Sequence, residues 1–239
     1  MAAVTQTPLI ETRDLTLHFG GLRAVDGVDF SLQPGEIHAL IGPNGAGKTT
    51  FVSLLSGRRL PQSGRVLMDG TDITALPAHA RVRKGIAYTF QITSIFPRLS
   101  VFDNVALAAQ TKGAQDLTAR VHAALVRVGL AGLEAQEAQT LSYGHQRLLE
   151  LGMGLALGPR LLILDEPTQG LAASEIQGFM DLVRSLVPDT TVLLIEHNMK
   201  VVMDLATRIT VLTFGRVLAT GTPDQIRANA AVQEAYLGA

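Results

Sequence analysis

The segment Gly42-Pro43-Asn44-Gly45-Ala46-Gly47-Lys48-Thr49-Thr50 holds the residue types that grip a phosphate. It follows the apolar run Ile37-His38-Ala39-Leu40-Ile41 and precedes Phe51-Val52-Ser53-Leu54-Leu55, a helix-compatible stretch. The whole reads as a strand–loop–helix turn with the spacing Gly-x-x-x-x-Gly-Lys-Thr. Gly42, Gly45 and Gly47 tolerate positive φ and close backbone approach, so successive N–H groups turn inward and form an anion nest. The helix that follows adds unpaired N–H groups and the positive end of its dipole. Lys48 brings a cation toward the β/γ-phosphates, and Thr49 brings a hydroxyl to Mg2+. A glycine-rich turn that binds nothing is the alternative reading. The full spacing, the Lys-Thr pair and the strand–helix context together favour a nucleotide.

Further chemistry sits at the ends of apolar runs. Arg160-Leu161-Leu162-Ile163-Leu164 ends in Asp165-Glu166-Pro167, two carboxylates at the end of a stretch apolar enough for a central parallel strand. Open α/β sheets place their ligands at the carboxyl ends of such strands. Thr191-Val192-Leu193-Leu194-Ile195 likewise ends in Glu196-His197, which makes His197 a candidate beside the same crevice. Gln91 closes the strand-like run Gly85 to Gln91; taken alone it reads as an exposed strand-end amide. Phe19 stands about two dozen residues ahead of the phosphate loop, and its own pattern favours a core aromatic.

Elements of both kinds must position these groups. Leu9 to Glu36 alternates with period two around glycines, which predicts antiparallel strands. A strand followed by a turn is expected over Arg65–Ile73. From Ser100 to Leu157 the strand signal vanishes. Helices are expected over Val101–Gln110 and Leu117–Val128, the second with Leu117, Val121, Ala124, Leu125 and Val128 on one face. An all-helical block inside an α/β pattern suggests an inserted lobe. Ser142 is placed to cap the last helix of that block, and Ser174-Glu175 start another with Ile176, Phe179, Met180, Val183 and Leu186 on one face. Ile209–Phe214 and Arg216–Thr220 predict a hairpin around Gly215. Thr222-Pro223-Asp224-Gln225 supplies an N-cap, an N1 proline and an N3 glutamine for a final helix.

Composition narrows the class. With 239 residues the chain has room for one large α/β domain and a sizeable core. The net charge of −1 offers no basic field for nucleic acid or an anionic membrane. The absence of cysteine excludes disulfides and thiolate metal sites. No signal-peptide pattern opens the chain. Leu148 to Leu164 is interrupted by Glu150, glycines, Pro159 and Arg160, so it is not expected to span a bilayer. The expectation is a soluble chain that reaches a membrane only through a partner.

In this order and spacing the motifs resemble those of the ATP-binding-cassette (ABC) ATPases over nearly the whole chain. The likeness rests on Gly42–Thr49, on Gln91 at the Q-loop position, and on Leu141-Ser142-Tyr143-Gly144-His145 at the signature. It rests further on Leu161–Asp165 at the Walker B strand, Glu166 at the catalytic glutamate and His197 at the switch histidine. The resemblance implies an α/β P-loop NTPase core with an antiparallel β-subdomain, approximately residues 1–92 and 158–239, and a helical signature subdomain, approximately 93–157. It places Phe19 on adenine, reversing the reading of that residue made from the residues alone. ATP and Mg2+ are implied, the metal ligated by Thr49 with Asp165 and Gln91 assisting. Lys48, Glu166 and His197 are the implied catalytic set. A head-to-tail dimer is also implied, in which Ser142, Tyr143, Gly144 and His145 meet the nucleotide of a second cassette.

Two departures are visible. The family's usual Gly-Gly-Gln after the signature serine is Tyr143-Gly144-His145, and the D-loop aspartate expected after Gly170-Leu171 is Ala172. Within the family the chain is similar to the ATPases of branched-chain (hydrophobic) amino-acid uptake systems. The similarity lies in Tyr88–Gln91, Leu141–Leu151, Ile195–Met203 and the Ala235-Tyr236-Leu237-Gly238 ending; ATPases of urea uptake and lipopolysaccharide export look much alike. The likeness implies two permease subunits, a second cassette in a homo- or heterodimer, and indirectly a solute-binding protein, at the cytoplasmic face of a membrane. Ile92 to Leu99 would lie near the groove that receives a permease coupling helix. A soluble ABC ATPase of ribosomes or DNA would usually carry a second cassette or a coiled-coil insertion, and a GTPase would need an Asn/Thr-Lys-x-Asp segment. The chain has none of these.

Overall fold

Two sheets organise the chain, and their burial follows the two hydrophobic periodicities of the sequence. The computed structural model describes residues 7–89, 94–112 and 115–237. Strands β1 (Ile10–Phe19) and β2 (Leu22–Leu32) alternate between buried and exposed positions and pair antiparallel, with register shifts. Strand β3 (Ile37–Ile41) is buried at every position and leads through the phosphate loop into helix α1 (Lys48–Leu55). Then come β4 (Ser63–Met68), β5 (Thr71–Asp72), α2 (Ala78–Arg83) and β6 (Ile86–Thr89). Helices α3 (Val101–Ala109), α4 (Leu117–Arg127) and α5 (Tyr143–Ala156) fill the sequence before β7 (Leu161–Asp165). The chain continues with α6 (Ala173–Leu186), β8 (Thr191–Ile195), α7 (Met199–Leu205), β9 (Arg208–Thr213), β10 (Arg216–Gly221), α8 (Pro223–Arg227) and α9 (Ala230–Leu237).

The smaller sheet has the order β2-β1-β4-β5 and is antiparallel; the larger has the order β10-β9-β3-β8-β7-β6. Within the larger, β9, β3, β8, β7 and β6 run parallel and β10 turns back along β9. Strands β3, β7 and β8 are buried at every position because both faces of this sheet are covered. On one face Leu40, Ile163 and Leu193 pack with Phe51 and Leu54 of α1 and with Leu15, Val25 and Phe30 of the antiparallel sheet. On the other, Leu162, Leu164, Val192 and Leu194 meet α3 to α6, while Ala39, Ile41, Ile209 and Val211 meet α7, α8 and Val232 of α9. No helix among the described residues is long and apolar enough to cross a membrane.

Two short helices, α2 and α7, lie outside the sequence expectations, and the C-terminal segment holds two helices where one is expected. The reason for α2 is visible in Arg81, which is fully buried. Its guanidinium donates to the carbonyls of Leu54 and Leu55 at 2.7 and 2.8 Å, and to those of Leu76 and Thr74 at 3.0 and 2.8 Å. The first two are at the C-terminus of α1, where carbonyls lack helical partners and the dipole favours a cation. Burial pulls the guanidinium down to about 10. Arg81 therefore ties down the far end of the helix whose near end faces the phosphates.

Candidate active site

The loop from Gly42 to Gly47 is pinned at its two ends by contacts that leave no room for a side chain at either end glycine. A Cβ at Gly42 would stand 2.3 Å from the Leu212 carbonyl oxygen, and one at Gly47 would stand 2.1 Å from that of Ala24. Gly47 also has φ 102, in the left-handed region, as the residue that caps α1. The Ala46 amide donates to Pro43 at 3.1 Å, and Gly215, at the turn between β9 and β10, donates to the Ala46 carbonyl at 3.0 Å. Pro43 is half-buried, while Asn44 and Gly45 are exposed at the tip. The Lys48 ammonium folds back onto the loop, donating to the carbonyls of Gly42 at 2.6 Å and Pro43 at 3.1 Å. Burial lowers its pKa, opposed by the charges of Glu166 and Asp165. The same two acids, at the carboxyl end of β7, lie close enough for their charges to act on the lysine. Thr49 is exposed and Thr50 half-buried in the first turn of α1.

Asp165 is buried at the end of β7 and accepts a 2.6 Å hydrogen bond from the Tyr88 hydroxyl on neighbouring β6. Burial pushes its carboxyl up, against the pull of the Tyr88 hydrogen bond. The next residue, Glu166, has φ 48, a left-handed conformation that costs a non-glycine residue about 1–3 kcal/mol. Its amide donates to the Ile195 carbonyl at 2.8 Å, which holds the turn against β8. The Glu166 carboxylate lies 3.7 Å from Nδ1 of His197, whose side chain is 62% exposed. The structure therefore brings Lys48, Asp165, Glu166 and His197 to one end of the parallel sheet. Gln91 lies outside the described residues.

Thr49, exposed in the first turn of α1, and Asp165, at the end of β7, each carry a hard oxygen donor. Such a set fits Mg2+, which takes one or two carboxylates together with substrate phosphates. Among the described residues no group of three or more His, Asp or Glu could hold an ion by protein ligands alone.

Phe19 ends β1 with 41% exposure, and the Arg59 guanidinium lies 5.1 Å from its ring centre. The ring is outside the core, with the exposure that the adenine position implied by the resemblance requires. Phe19→Ala is expected to raise the KM for ATP about 5- to 10-fold, equivalent to about 1–1.5 kcal/mol of lost stacking, while Phe19→Tyr keeps it. Steady-state kinetics on the pair check this.

The signature residues sit elsewhere. Ser142 caps α5, its hydroxyl accepting from the His145 amide at 3.2 Å. Among the described residues, no hydrogen bond or ion pair joins Ser142–His145 to Gly42–Thr50. Gly144 is buried, and a Cβ there would meet Glu175 Oε1 at 2.3 Å. The Tyr143 hydroxyl donates to the Gln169 carbonyl at 3.2 Å, and its ring covers Gly170 so closely that a Cβ there would be 2.8 Å away. The bulk that departs from the family pattern is thus packed against the loop that follows Glu166. Ala172, the second departure, caps α6, and its amide donates to Glu175 Oε2 at 2.8 Å.

Tyr88 and Glu196 are polar partners of this site that residue patterns do not single out. Tyr88 reaches Asp165 across 77 positions of sequence, and Glu196 accepts from Thr168 across 28. Only the strand order makes them neighbours.

Comparison with known proteins gives a consistent result. The family model described as ABC transporter matches residues 25–169, and one described as branched-chain amino acid ATP-binding cassette transporter matches residues 216–239. The chain is 39% identical to the high-affinity branched-chain amino acid transport ATP-binding protein BraF of Pseudomonas aeruginosa, over 97% of this chain and 98% of that one. It is 38% identical to the corresponding protein LivG of Escherichia coli K12, with the same coverage. Among solved structures it is similar to the ADP conformation of MJ1267, an ATP-binding cassette of an ABC transporter. That match has a TM-score of 0.88 and 26% identity, covering 97% of this chain and 99% of the other.

Proposed function

The chain belongs to the ATP-binding cassettes of ABC transporters, and from that membership we propose that it powers import of branched-chain or other hydrophobic amino acids. The observation that carries the substrate class is the near-full-length similarity to BraF and LivG. The matched C-terminal segment, 216–239, adds support. ATP hydrolysis follows from the family; the roles of individual residues below are our reading of the site.

Phosphoryl transfer is mostly positioning and charge stabilisation. The nest of amides at Gly42–Thr50 and the positive end of α1 cradle the phosphates. The Lys48 ammonium exchanges the Gly42 and Pro43 carbonyls for β/γ-phosphate oxygens. Thr49 and Asp165 would hold Mg2+, with Gln91 assisting, and the ion would neutralise charge on the β- and γ-oxygens. Tyr88 fixes the Asp165 carboxylate for that role. Glu166 polarises the attacking water, and His197, beside it, contacts the γ-phosphate and keeps the water in line. Phe19 stacks on adenine.

A second cassette, a copy of this chain or a related one, supplies Ser142, Tyr143, Gly144 and His145 to the γ-phosphate through the N-terminus of its α5. The helical block from α3 to α5 is then the lobe that carries the signature. Phe96, 51% exposed, belongs to the segment read as a permease contact. The assembly has two permease subunits and a solute-binding protein, with this chain at the cytoplasmic face of the membrane.

Affinity purification of the tagged full chain from its host's membranes tests this reading. It should recover two permease subunits. ATPase activity of the recovered complex should rise with a binding protein loaded with leucine, isoleucine or valine. Recovery without permeases, or stimulation by urea in place of these amino acids, would contradict it.

A further inference from the structure

Glu196 stands between the two loops that this reading uses, and it is 1% exposed. Its Oε1 accepts from the Thr168 amide at 3.1 Å and also from the Thr168 hydroxyl. Its Oε2 accepts from the amides of His197 at 3.0 Å and Asn198 at 3.1 Å. Thr168, itself buried, follows Glu166 by two residues. Every partner of the carboxylate is a donor, which matches an acceptor-only group with two lone pairs on each oxygen. Hydrogen bonds of this charged kind are about twice as strong as neutral ones. One oxygen thus grips the chain leaving Glu166, and the other grips the backbone that carries His197.

The clamp matters because the His197 side chain is largely exposed and 3.7 Å from Glu166. Little packing holds the ring itself, so its placement comes from its backbone. That backbone is fixed on one side by β8 and on the other by Asn198, which caps α7 by accepting from Lys200 and Val201. Glu196 ties the junction between them to the catalytic turn.

We infer that Glu196 is a positioning residue that sets His197 against Glu166 for hydrolysis. This inference rests on the reading above in which those two residues serve the attacking water and the γ-phosphate. Glutamine at 196 keeps the shape but turns one oxygen into an NH2 donor. Either the Thr168 amide or the His197 and Asn198 amides then face a donor, since the Thr168 hydroxyl can turn to accept but a backbone amide cannot, and one loop is loosened. A displacement of about 1 Å in reacting groups costs about 100-fold in rate. The Gly42–Thr50 loop and Phe19 are untouched by the change, so ground-state binding of ATP is preserved.

The test measures kcat and KM for MgATP in the full chain carrying Glu196→Gln, His197→Ala, both together, Thr168→Val or Thr168→Ser. The expected result is a kcat about 10- to 100-fold lower for Glu196→Gln with KM within about twofold. Adding it to His197→Ala should cost less than about twofold more, because the two act as a unit. Thr168→Val should slow turnover, and Thr168→Ser, which keeps the hydroxyl, should restore it. If Glu196→Gln fails to fold, the Thr168 pair carries the test alone. Wild-type kcat in Glu196→Gln or Thr168→Val, or full additivity with His197→Ala, would overturn the inference while leaving the site reading intact. Wild-type turnover in His197→Ala would instead overturn the site reading.

Discussion

Glu166→Gln is expected to lower ATP turnover by about 10²–10⁴-fold, the usual loss when a general base is removed, while MgATP binding survives. Glutamine is isosteric with glutamate but cannot take a proton from water. The backbone that presents it, with φ 48 and its amide bonded to Ile195, does not depend on the carboxylate. Nor does the lysine-lined loop. ATP should therefore bind and persist, and two cassettes closed around it should stay closed. Gel filtration with MgATP should show a dimer for Glu166→Gln and a transient one for the unaltered chain. Turnover within tenfold of the unaltered chain would contradict the assignment.

Lys48→Ala is the second large effect, and it falls on binding as well as on chemistry. A hydrogen bond to a charged group contributes about 1.5–3 kcal/mol, which is about 10- to 150-fold in affinity. In the proposed mechanism the lysine also stabilises charge that develops on the transferred phosphoryl group, so kcat should fall by a further 10²–10³-fold. The loop itself should persist. Its shape comes from close contacts of Gly42 with Leu212 and of Gly47 with Ala24, and from the bond of Gly215 to Ala46. Only two lysine–carbonyl bonds are lost, at a partly exposed rim. Titration calorimetry with ATP separates the binding loss from the kinetic one. Unchanged affinity would show that Lys48 acts elsewhere.

Groups whose partners lie close in sequence were legible before any coordinates. The phosphate loop, the Ser142 cap, the Thr222–Gln225 capping box and the three fully buried strands all follow from local spacing. Phe19 shows where that logic ends. Period two puts it in phase with Leu15 and Leu17, which are buried at 0% and 8%, yet it is 41% exposed. A register shift between Leu17 and His18 and the end of the strand carry it out of the core. The core reading of Phe19 is therefore overturned, and the ring has the exposure that the adenine position implied by the resemblance requires.

Helices α2 and α7, of six and seven residues, are shorter than the window in which a helical period can be recognised. Arg81, Tyr88 and Glu196 were illegible for a further reason. Each draws its meaning from a partner brought near only by the fold, as Leu54 and Leu55 of α1 are to Arg81 and as Asp165 is to Tyr88 when β6 pairs with β7. A buried charge is rare, but nothing in the residues around Arg81 or Glu196 marks them as buried.

The central claim is that one subunit's Gly42–Thr50 loop and another's Ser142–Gly144 form a single hydrolytic site. ATPase activity per subunit, measured from far below to far above the concentration at which the chain dimerises, tests it most directly. The composite site predicts that activity per subunit rises with concentration and then levels off, with ATP still bound at the dilute end. Activity per subunit that stays constant down to the monomer would contradict it.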